Sequence, residues 1–327
     1  MVGCYLTGIL PRTNELIEAT RAYDRGRVNE KELEKAFENA TVKVIDTQLS
    51  AEFSYVTDGM LKWQDLFRPF TEYLSGVKMG SLTRWFNNNT FYRKPIIVGD
   101  IWRKRSIIEK VSYTKYPRKN LHWKAILPAP YTFVNLSENQ FYTDKKELMF
   151  KYAKILREEI EGLARLGFKY VQLSDPALVY KPIDMSVSKD ELNLTGEALR
   201  IAVKGIPVTT CLQTFFGDFS RILPDALDFS VDHLGIDLYE TDLKKLKEYS
   251  FEKGVALGLV DSRSSLVEDE DELVKVAEEI VGSIYSSKML EVFVCPNCDL
   301  EFLPWERAEE KLKLISGVAG RLKEEFS

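Results

Sequence analysis

The regular alternation of strand and helix patterns after residue 120 is the feature that most constrains the fold. Short apolar runs bounded by turn residues alternate with longer segments whose apolar residues recur at helical spacing. Such alternation is typical of βα units that build a parallel sheet. The predicted strands are 121–127, 169–173, 206–215, 233–238, 255–260 and 290–294, and the predicted helices are 145–166, 189–203, 220–227, 241–253, 269–283 and 305–326.

Two further strands are predicted before this region, at residues 4–10 and 51–54. Helices are predicted between them, with Thr13 and the Asn29/Glu32 capping box as start signals. The total of eight strands predicts an α/β fold, a single TIM-type (βα)8 barrel over residues 1–327. A doubly wound open sheet is the alternative, but no G-x-G-x-x-G sequence follows a strand to support it.

An insertion interrupts the alternation at about residues 61–119. Within it we predict a helix at 62–74, an aromatic loop at 83–92, and a hairpin made of 94–102 and 106–113. No repeat or low-complexity linker marks a second domain. The insertion is therefore expected to cover one mouth of the barrel.

Composition limits the classes of partner and of site. The net charge of −5 argues against a basic surface that binds nucleic acid, and no apolar run is long enough to span a membrane. With no signal-peptide pattern at the start, we expect a cytoplasmic protein. Four cysteines in 327 residues do not form a disulfide framework, and the two histidines leave few candidates for His-based chemistry.

Polar residues just after the strands are the candidates for a site, because the active site of a βα barrel lies at the C-terminal ends of its strands. Cys298 either packs in the core or binds a metal, and the Cys295–Cys298 pair favours metal slightly. Packing is favoured for Cys211, helix capping is the common role for Asp175 and Asp237, and surface exposure is expected of Glu52. His122 and His233 begin strands and are not expected to be catalytic.

The insertion carries three further candidates. Trp85, within the aromatic loop, either stacks on a flat ligand or packs beneath the loop. Arg103 and Arg105 form a solvated turn or bind a polyanionic tail.

Taken in order, the strand ends resemble those of the cobalamin-independent methionine synthase family, whose enzymes are two fused βα barrels. The resemblance rests on TGILPRT at 7–13, AEF at 51–53, ILPAPYT at 126–132, VQLSDPAL at 171–178 and PNCDL at 296–300. Segments 84–92 and 212–217 look like the family's N-terminal, non-catalytic barrel. Cys298 is compatible with both halves.

The resemblance implies a zinc site that holds homocysteine as a thiolate. Cys298 matches the last cysteine ligand, Cys211 matches the other if Thr209 replaces the histidine, and Asp237 falls at the glutamate position. Aligning through 212–217 instead removes Cys211. Glu52 and Asp175 are then the candidates for catalytic carboxylates, and Gly8, Ser174, Trp85, Arg103 and Arg105 for substrate binding, although Ser174 replaces an aspartate and Ile9 replaces a serine of the family pattern.

Three functions follow from the resemblance. The first is methyl transfer from a methyltetrahydrofolate-type or corrinoid donor to homocysteine or a related thiol, with a separate catalytic barrel as partner. The second is a non-catalytic folate-binding or scaffolding subunit without metal, in which Arg103 to Arg105 contact a polyglutamate tail. The third is a methyltransferase with another acceptor.

Overall fold

A curled parallel sheet of seven strands forms the centre of the molecule. Its strand order is β1-β10-β9-β8-β7-β6-β4, so the first and last strands of the chain are neighbours. A separate three-stranded sheet has the order β2-β3-β5. The computed structural model describes residues 1–86, 90–113, 121–180, 186–286 and 291–326.

The strands and helices, numbered in chain order, have the following residue ranges. The strands are β1 (Val2–Cys4), β2 (Leu74–Arg84), β3 (Phe91–Arg103), β4 (Lys124–Pro128), β5 (Glu138–Asn139), β6 (Tyr170–Ser174), β7 (Thr209–Gln213), β8 (His233–Asp237), β9 (Gly254–Val260) and β10 (Val292–Pro296). The helices are α1 (Asn14–Asp24), α2 (Glu30–Ser50), α3 (Arg68–Tyr73), α4 (Ile108–Val111), α5 (Pro130–Leu136), α6 (Lys145–Arg165), α7 (Pro176–Val179), α8 (Lys189–Val203), α9 (Leu243–Leu246), α10 (Glu270–Ile284) and α11 (Trp305–Glu325).

The alternation predicted after residue 120 is confirmed. Each predicted strand of that region corresponds to β4 or to one of β6–β10, and all of them pair in parallel. Thr13 caps α1, and Asn29 and Glu32 form the expected capping box of α2. The first strand is shorter than predicted, and of the helix predicted at 241–253 only Leu243–Leu246 is helical. Residues 220–227 form two 3₁₀ turns instead of a helix.

The predicted strand at 51–54 is wrong, because these residues end α2. Glu52 has a φ of 53°, and the N–H of Phe53 donates to the carbonyl of Gln48, as in a helix C-terminal Schellman motif. The chain then extends, and backbone hydrogen bonds join it to both edge strands of the sheet. Ser54 N donates to Cys4 O at 3.0 Å, and Lys124 N donates to Val56 O at 2.9 Å.

The insertion is a long antiparallel hairpin with different boundaries from those predicted. β2 pairs with β3 from Leu74↔Arg103 to Arg84↔Phe91, so the predicted aromatic loop is the end of the hairpin. Residues 106–113 form α4 and turns instead of a strand. The pattern of β2 misled the prediction because it contains two glycines and its register shifts twice. Residues 87–89 and 114–119 of the predicted loop and insertion lie outside the described residues.

A buried carboxylate attaches the hairpin to α6. Glu159 is fully buried and accepts hydrogen bonds from Arg103 Nη1 at 2.8 Å and from the backbone N–H groups of Ile107 and Ile108 at 2.9 and 3.2 Å. Its neighbour Glu158 contacts the same arginine but its side chain is 56% exposed. Of these two glutamates, only Glu159 is therefore expected to contribute measurably to the free energy of unfolding.

We expect Glu159→Ala to lower the free energy of unfolding by about 3 kcal/mol, because it leaves two buried N–H groups and Arg103 without their acceptor. Glu158→Ala is the matched control and should change it by less than about 0.5 kcal/mol. Urea unfolding of both variants measures the difference. Equal effects would show that Glu159 does not hold the hairpin.

Candidate functional site

The inner face of the sheet carries an aromatic cluster in its N-terminal half. The rings of Tyr5, Tyr55, Tyr170 and Phe293 lie 4.7–6.5 Å apart, measured between ring centroids. His233 belongs to this layer, since its Nδ1 is 2.9 Å from the Tyr170 hydroxyl and its Nε2 is 2.8 Å from Glu291. As expected for a residue at a strand start, His233 lies away from the C-terminal ends of the strands.

Cys211 also lies in the aromatic layer. The Tyr5 hydroxyl donates to its sulfur at 3.8 Å, and both Tyr5 and Tyr170 pack against it. Burial raises the pKa of the Cys211 thiol. Cys211 precedes Gln213, the last residue of β7, by two positions, which places it about 7 Å below the strand end.

Above the aromatic layer, a buried amine joins three strands. Lys124 Nζ donates to Leu6 O at 2.6 Å and to Gln172 Oε1 at 2.7 Å, and it lies 3.3 Å from the centroid of the Tyr5 ring. Gln172 Nε2 donates in turn to Thr7 O and to Ser174 Oγ. Burial without a carboxylate partner lowers the pKa of Lys124 to about 7.

Cys298 lies at the C-terminal end of β10 within a hydrogen-bonded network. Its sulfur is 2.7 Å from Ser262 Oγ, and burial raises its pKa well above the ordinary value. The side-chain oxygen of Asn297, Oδ1, accepts hydrogen bonds from the N–H and the hydroxyl of Ser262. Its side-chain nitrogen, Nδ2, donates to Asp237 Oδ1 at 3.3 Å and to Asp261 Oδ1 at 3.4 Å. Asn297 thus connects the ends of β8, β9 and β10.

The carboxylate of Asp237 is buried, and it accepts hydrogen bonds from two loops as well as from the side chain of Asn297. Its oxygens accept from the backbone N–H groups of Phe216 and Tyr239, both at 3.1 Å. Burial raises its pKa to about 6, and these hydrogen bonds oppose the shift. Cys298 and Asp237 are therefore neighbours in one network.

A small cleft opens at the C-terminal ends of the strands. The hairpin covers it, so aromatic residues form one wall and carboxylates another. The lining residues are Ile9, Asp65, Leu66, Trp85, Thr90, Phe91, Tyr92, Ile126, Ser174, Phe215, Asp299 and Glu301.

All three carboxylates that line this cleft have raised pKa values, and burial is the largest cause for each, including Asp65. Asp299 Oδ1 accepts from the N–H of Ile9 at 2.7 Å, and burial raises its pKa to about 6. Burial, followed by the nearby charge of Asp299, raises the pKa of Glu301 to about 8, although Arg12 opposes the shift. The cleft therefore holds carboxyl groups that titrate near neutral pH.

Gly8 is required by the Asp299 carboxylate, since a Cβ at residue 8 would overlap it. Of the residues predicted to bind substrate, Ser174 and Trp85 line the cleft, and Gly8 lies directly against Asp299. Arg103 and Arg105 do not line it. Arg103 is paired with Glu158 and Glu159, and Arg105 lies 5.1 Å from the ring centroid of Tyr73.

The two predicted catalytic carboxylates are not brought together. Glu52 is exposed at the end of α2, and the strand-like segment that follows it leads toward the C-terminal side, so Glu52 lies at the opposite end of the sheet from the cleft. Asp175 is buried at the start of α7, and its Oδ1 accepts from Thr132 Oγ1 at 2.6 Å.

Comparison with known proteins identifies the family. The family model described as the catalytic domain of cobalamin-independent synthase matches residues 4–321. The chain belongs to this family. Among the helices that the structure describes, none is both long and apolar enough to span a membrane.

Relatives in the cobalamin-independent synthase family match over almost their whole length. A protein named methionine synthase from Saccharolobus solfataricus is 29% identical over 96% of this chain and 92% of its own. A second, from Sulfolobus acidocaldarius, is 30% identical over 96% and 90%.

Solved structures show the same fold. A B12-independent methionine synthase from Shewanella sp. W3-18-1, solved in complex with selenomethionine, superposes with a TM-score of 0.82 at 20% identity, over 100% of this chain and 99% of the other. A putative vitamin-B12-independent methionine synthase from Listeria monocytogenes gives 0.72 at 17% identity, over 98% and 99%.

The metal ligands implied by the family resemblance do not form one site. Zinc takes four donors in a tetrahedral arrangement, of which three or four come from the protein. Cys298 and Asp237 share a network, but Cys211 lies in the aromatic layer with its sulfur against Tyr5. Across the described part of the chain, no three His, Cys, Asp or Glu side chains are grouped to hold one metal ion.

Sequence reasoning missed Asp299, Glu301, Asn297, Gln213 and Lys124. Asp299 and Glu301 immediately follow Cys298, so their position one and three residues beyond a strand-end cysteine was an available signal. Lys124 was visible as a lysine within an apolar strand run. Asn297 and Gln213 carry no such signal, since strand-end amides are common in turns.

The raised pKa values of the cleft carboxyls predict a pH-dependent stability. A raised folded-state pKa favours folding at pH below the ordinary value of 4.5, and this contribution is lost as the pH rises through about 8 for Glu301. Glu301→Gln should therefore melt several degrees above the wild type at about pH 8.5 and at nearly the same temperature at about pH 4. Thermal unfolding at both pH values measures this, with Glu309→Gln as control, since the Glu309 side chain is 36% exposed and lies outside the cleft lining. A pH-independent difference would contradict the raised pKa.

Proposed function

We propose that the protein is a methyltransferase of methionine biosynthesis, which transfers a methyl group from a methyltetrahydrofolate-type or corrinoid donor to homocysteine or a related thiol. The observation that carries this proposal is the match of nearly the whole chain to relatives named methionine synthase. The cleft at the C-terminal strand ends supports it, because this is where βα-barrel enzymes bind their substrates.

The cleft suits a small thiol that carries an ammonium group. Asp299, whose pKa of about 6 leaves it mainly ionised at neutral pH, supplies negative charge, and Trp85 and Phe215 supply an apolar wall. An ammonium beside Asp299 would lower its raised pKa and hold it ionised.

Methyl transfer requires that the thiol lose its proton before the sulfur attacks. We assign this proton to the ionised form of Glu301, whose share grows as the pH rises through its pKa of about 8. The sulfur then forms a bond to the methyl carbon as the bond from that carbon to the donor breaks, and the donor leaves with the electron pair. No step is assigned to zinc, because the described residues do not group a donor set that fits a zinc site.

A separate catalytic barrel as partner is part of the same proposal. The placement of Cys211 away from Cys298 also favours the second candidate function, a non-catalytic subunit without metal that binds a folate-type ligand. The two functions differ in whether the chain transfers a methyl group by itself. We further infer that segment 54–56, which bonds to both edge strands, makes the sheet a closed barrel in solution.

A methyl-transfer assay with L-homocysteine tests the first function. Methyltetrahydrofolate and methylcobalamin serve as donors in separate reactions, and methionine is measured. We expect transfer by the wild type, and a rate about 100-fold lower for Glu301→Gln, because the proton acceptor is lost. Glu309→Gln is the surface control. Binding of a donor without any transfer, alone or with a candidate catalytic barrel, would favour the non-catalytic function.

Metal analysis of protein dialysed against zinc tests the assignment of a metal-free site. We expect fewer than about 0.1 zinc ions per chain, since the structure groups too few donors. The melting temperature should be unchanged by a chelator. One zinc ion per chain that is lost in Cys298→Ser but kept in Cys4→Ser would contradict the metal-free assignment. It would show that Cys298 binds zinc.

A further inference from the structure

The side chain of Gln213 is the most unusual polar group in the interior. It is fully buried, and neither its Oε1 nor its Nε2 has a hydrogen-bond partner among the described residues. No other described side chain has two such atoms. Because buried amides are almost always paired in native proteins, this amide is positioned for a group that the protein itself does not supply.

The location of the amide is set by its strand. Cys211, two residues earlier on β7, faces the interior, so Gln213 faces it as well, one layer closer to the C-terminal ends. Its amide lies against the backbone of Gly235, where a Cβ would overlap it. The absence of a side chain at Gly235 is what makes room for the amide.

Gln213 does not itself line the cleft, but two residues next to it do. Its strand neighbour in register is Ser174, and Phe215 follows two residues later in the chain. Both Ser174 and Phe215 line the cleft. A ligand that reaches the floor of the cleft therefore comes to the strand end at which the Gln213 amide lies.

Gln172, on the adjacent strand β6, is a buried glutamine of the same interior whose amide is fully hydrogen-bonded to the protein. It is equally buried, yet its Nε2 donates to Thr7 O and Ser174 Oγ, and its Oε1 accepts from Lys124 Nζ. The two residues thus share chemistry and burial and differ in pairing. Gln172 holds the sheet, whereas Gln213 bonds to nothing in the sheet.

We propose that Gln213 is a substrate-binding residue that recognises the α-amino-acid group of the thiol acceptor. A primary amide presents a donor beside an acceptor, so Nε2 donates to the carboxylate of the ligand and Oε1 accepts from its ammonium. The carboxylates of the cleft add charge complementarity for the same ammonium. This inference rests on the proposed function, which supplies an amino-acid thiol as ligand.

The first arm of the test is stability without ligand. Replacing an unpaired buried amide by leucine removes a desolvated polar group and keeps the volume. Gln213→Leu should therefore raise Tm by a few degrees, whereas Gln172→Leu should lower it because Lys124 and Thr7 lose their partner. A Gln213→Leu variant that melts as far below the wild type as Gln172→Leu would show that Gln213 is structural, and would overturn the proposal.

The second arm is calorimetric binding of L-methionine and L-homocysteine. We expect Gln213→Leu to bind both about 10- to 100-fold more weakly than the wild type while folding normally, and Gln213→Asn to lose affinity as well because the shorter amide cannot reach the same position. Unchanged affinity in Gln213→Leu would overturn the inference.

The two arms separate this inference from the proposed function. A wild type that binds L-methionine through Gln213 but transfers no methyl group would contradict the methyltransferase function and leave the role of Gln213 in place. A wild type that transfers the methyl group, with a Gln213→Leu variant of unchanged KM, would leave the function in place and contradict the role of Gln213. A wild type that binds neither amino acid would contradict both.

Discussion

The buried amine of Lys124 is the interaction on which the interior of this protein depends. Lys124 begins β4, one edge of the seven-stranded sheet, and donates to the carbonyl of Leu6, which follows β1 at the other edge. Gln172 adds a second bond to the same segment, at Thr7. These side-chain hydrogen bonds cross the interior and hold the two edges of the sheet near each other. Apolar contacts alone would not fix the relative position of the edges in this way, because they are not directional.

The same polar layer separates two regions of different chemistry. Below it, Tyr5, Tyr170 and Phe293 fill the interior with rings and enclose Cys211. Above it, small residues such as Ser174 and Gly235 leave space at the strand ends, where the cleft and the Gln213 amide lie. Burial in the lower region raises the pKa of the Cys211 thiol, and the open upper region is where we propose that the substrate binds.

Side chains at three adjacent strand ends form one hydrogen-bonded network. Asn297 accepts from Ser262 and donates to Asp237 and Asp261, so three adjacent strand ends are joined by one amide. Cys298 is held in this network by the Ser262 hydroxyl. In such an arrangement the cysteine and the carboxylate stabilise loops around the cleft, and the proposed function assigns the reaction to a carboxyl that lines it.

Much of the fold follows from sequence pattern, and less of the site does. Periodicity predicts the strands and helices after residue 120 because buried parallel strands are continuous apolar runs. It fails at Glu52, where a non-glycine residue at positive φ ends a helix, and along β2, whose glycines and register shifts hide the strand. The contact of Asp299 with Ile9 joins residues 290 apart, and no local pattern encodes such a contact.

The central claim is that an amino-acid thiol binds in the C-terminal cleft of this chain through its own carboxylates and amide, without a metal. The most direct measurement is a crystal structure of the protein grown with L-methionine and zinc in the solution. The account predicts L-methionine in the cleft, with its carboxylate and ammonium on the Gln213 amide, its ammonium near Asp299, and the Cys298 sulfur still bonded to Ser262. A zinc ion joining Cys298 to Asp237 and to the ligand sulfur, or L-methionine bound outside the cleft, would contradict it.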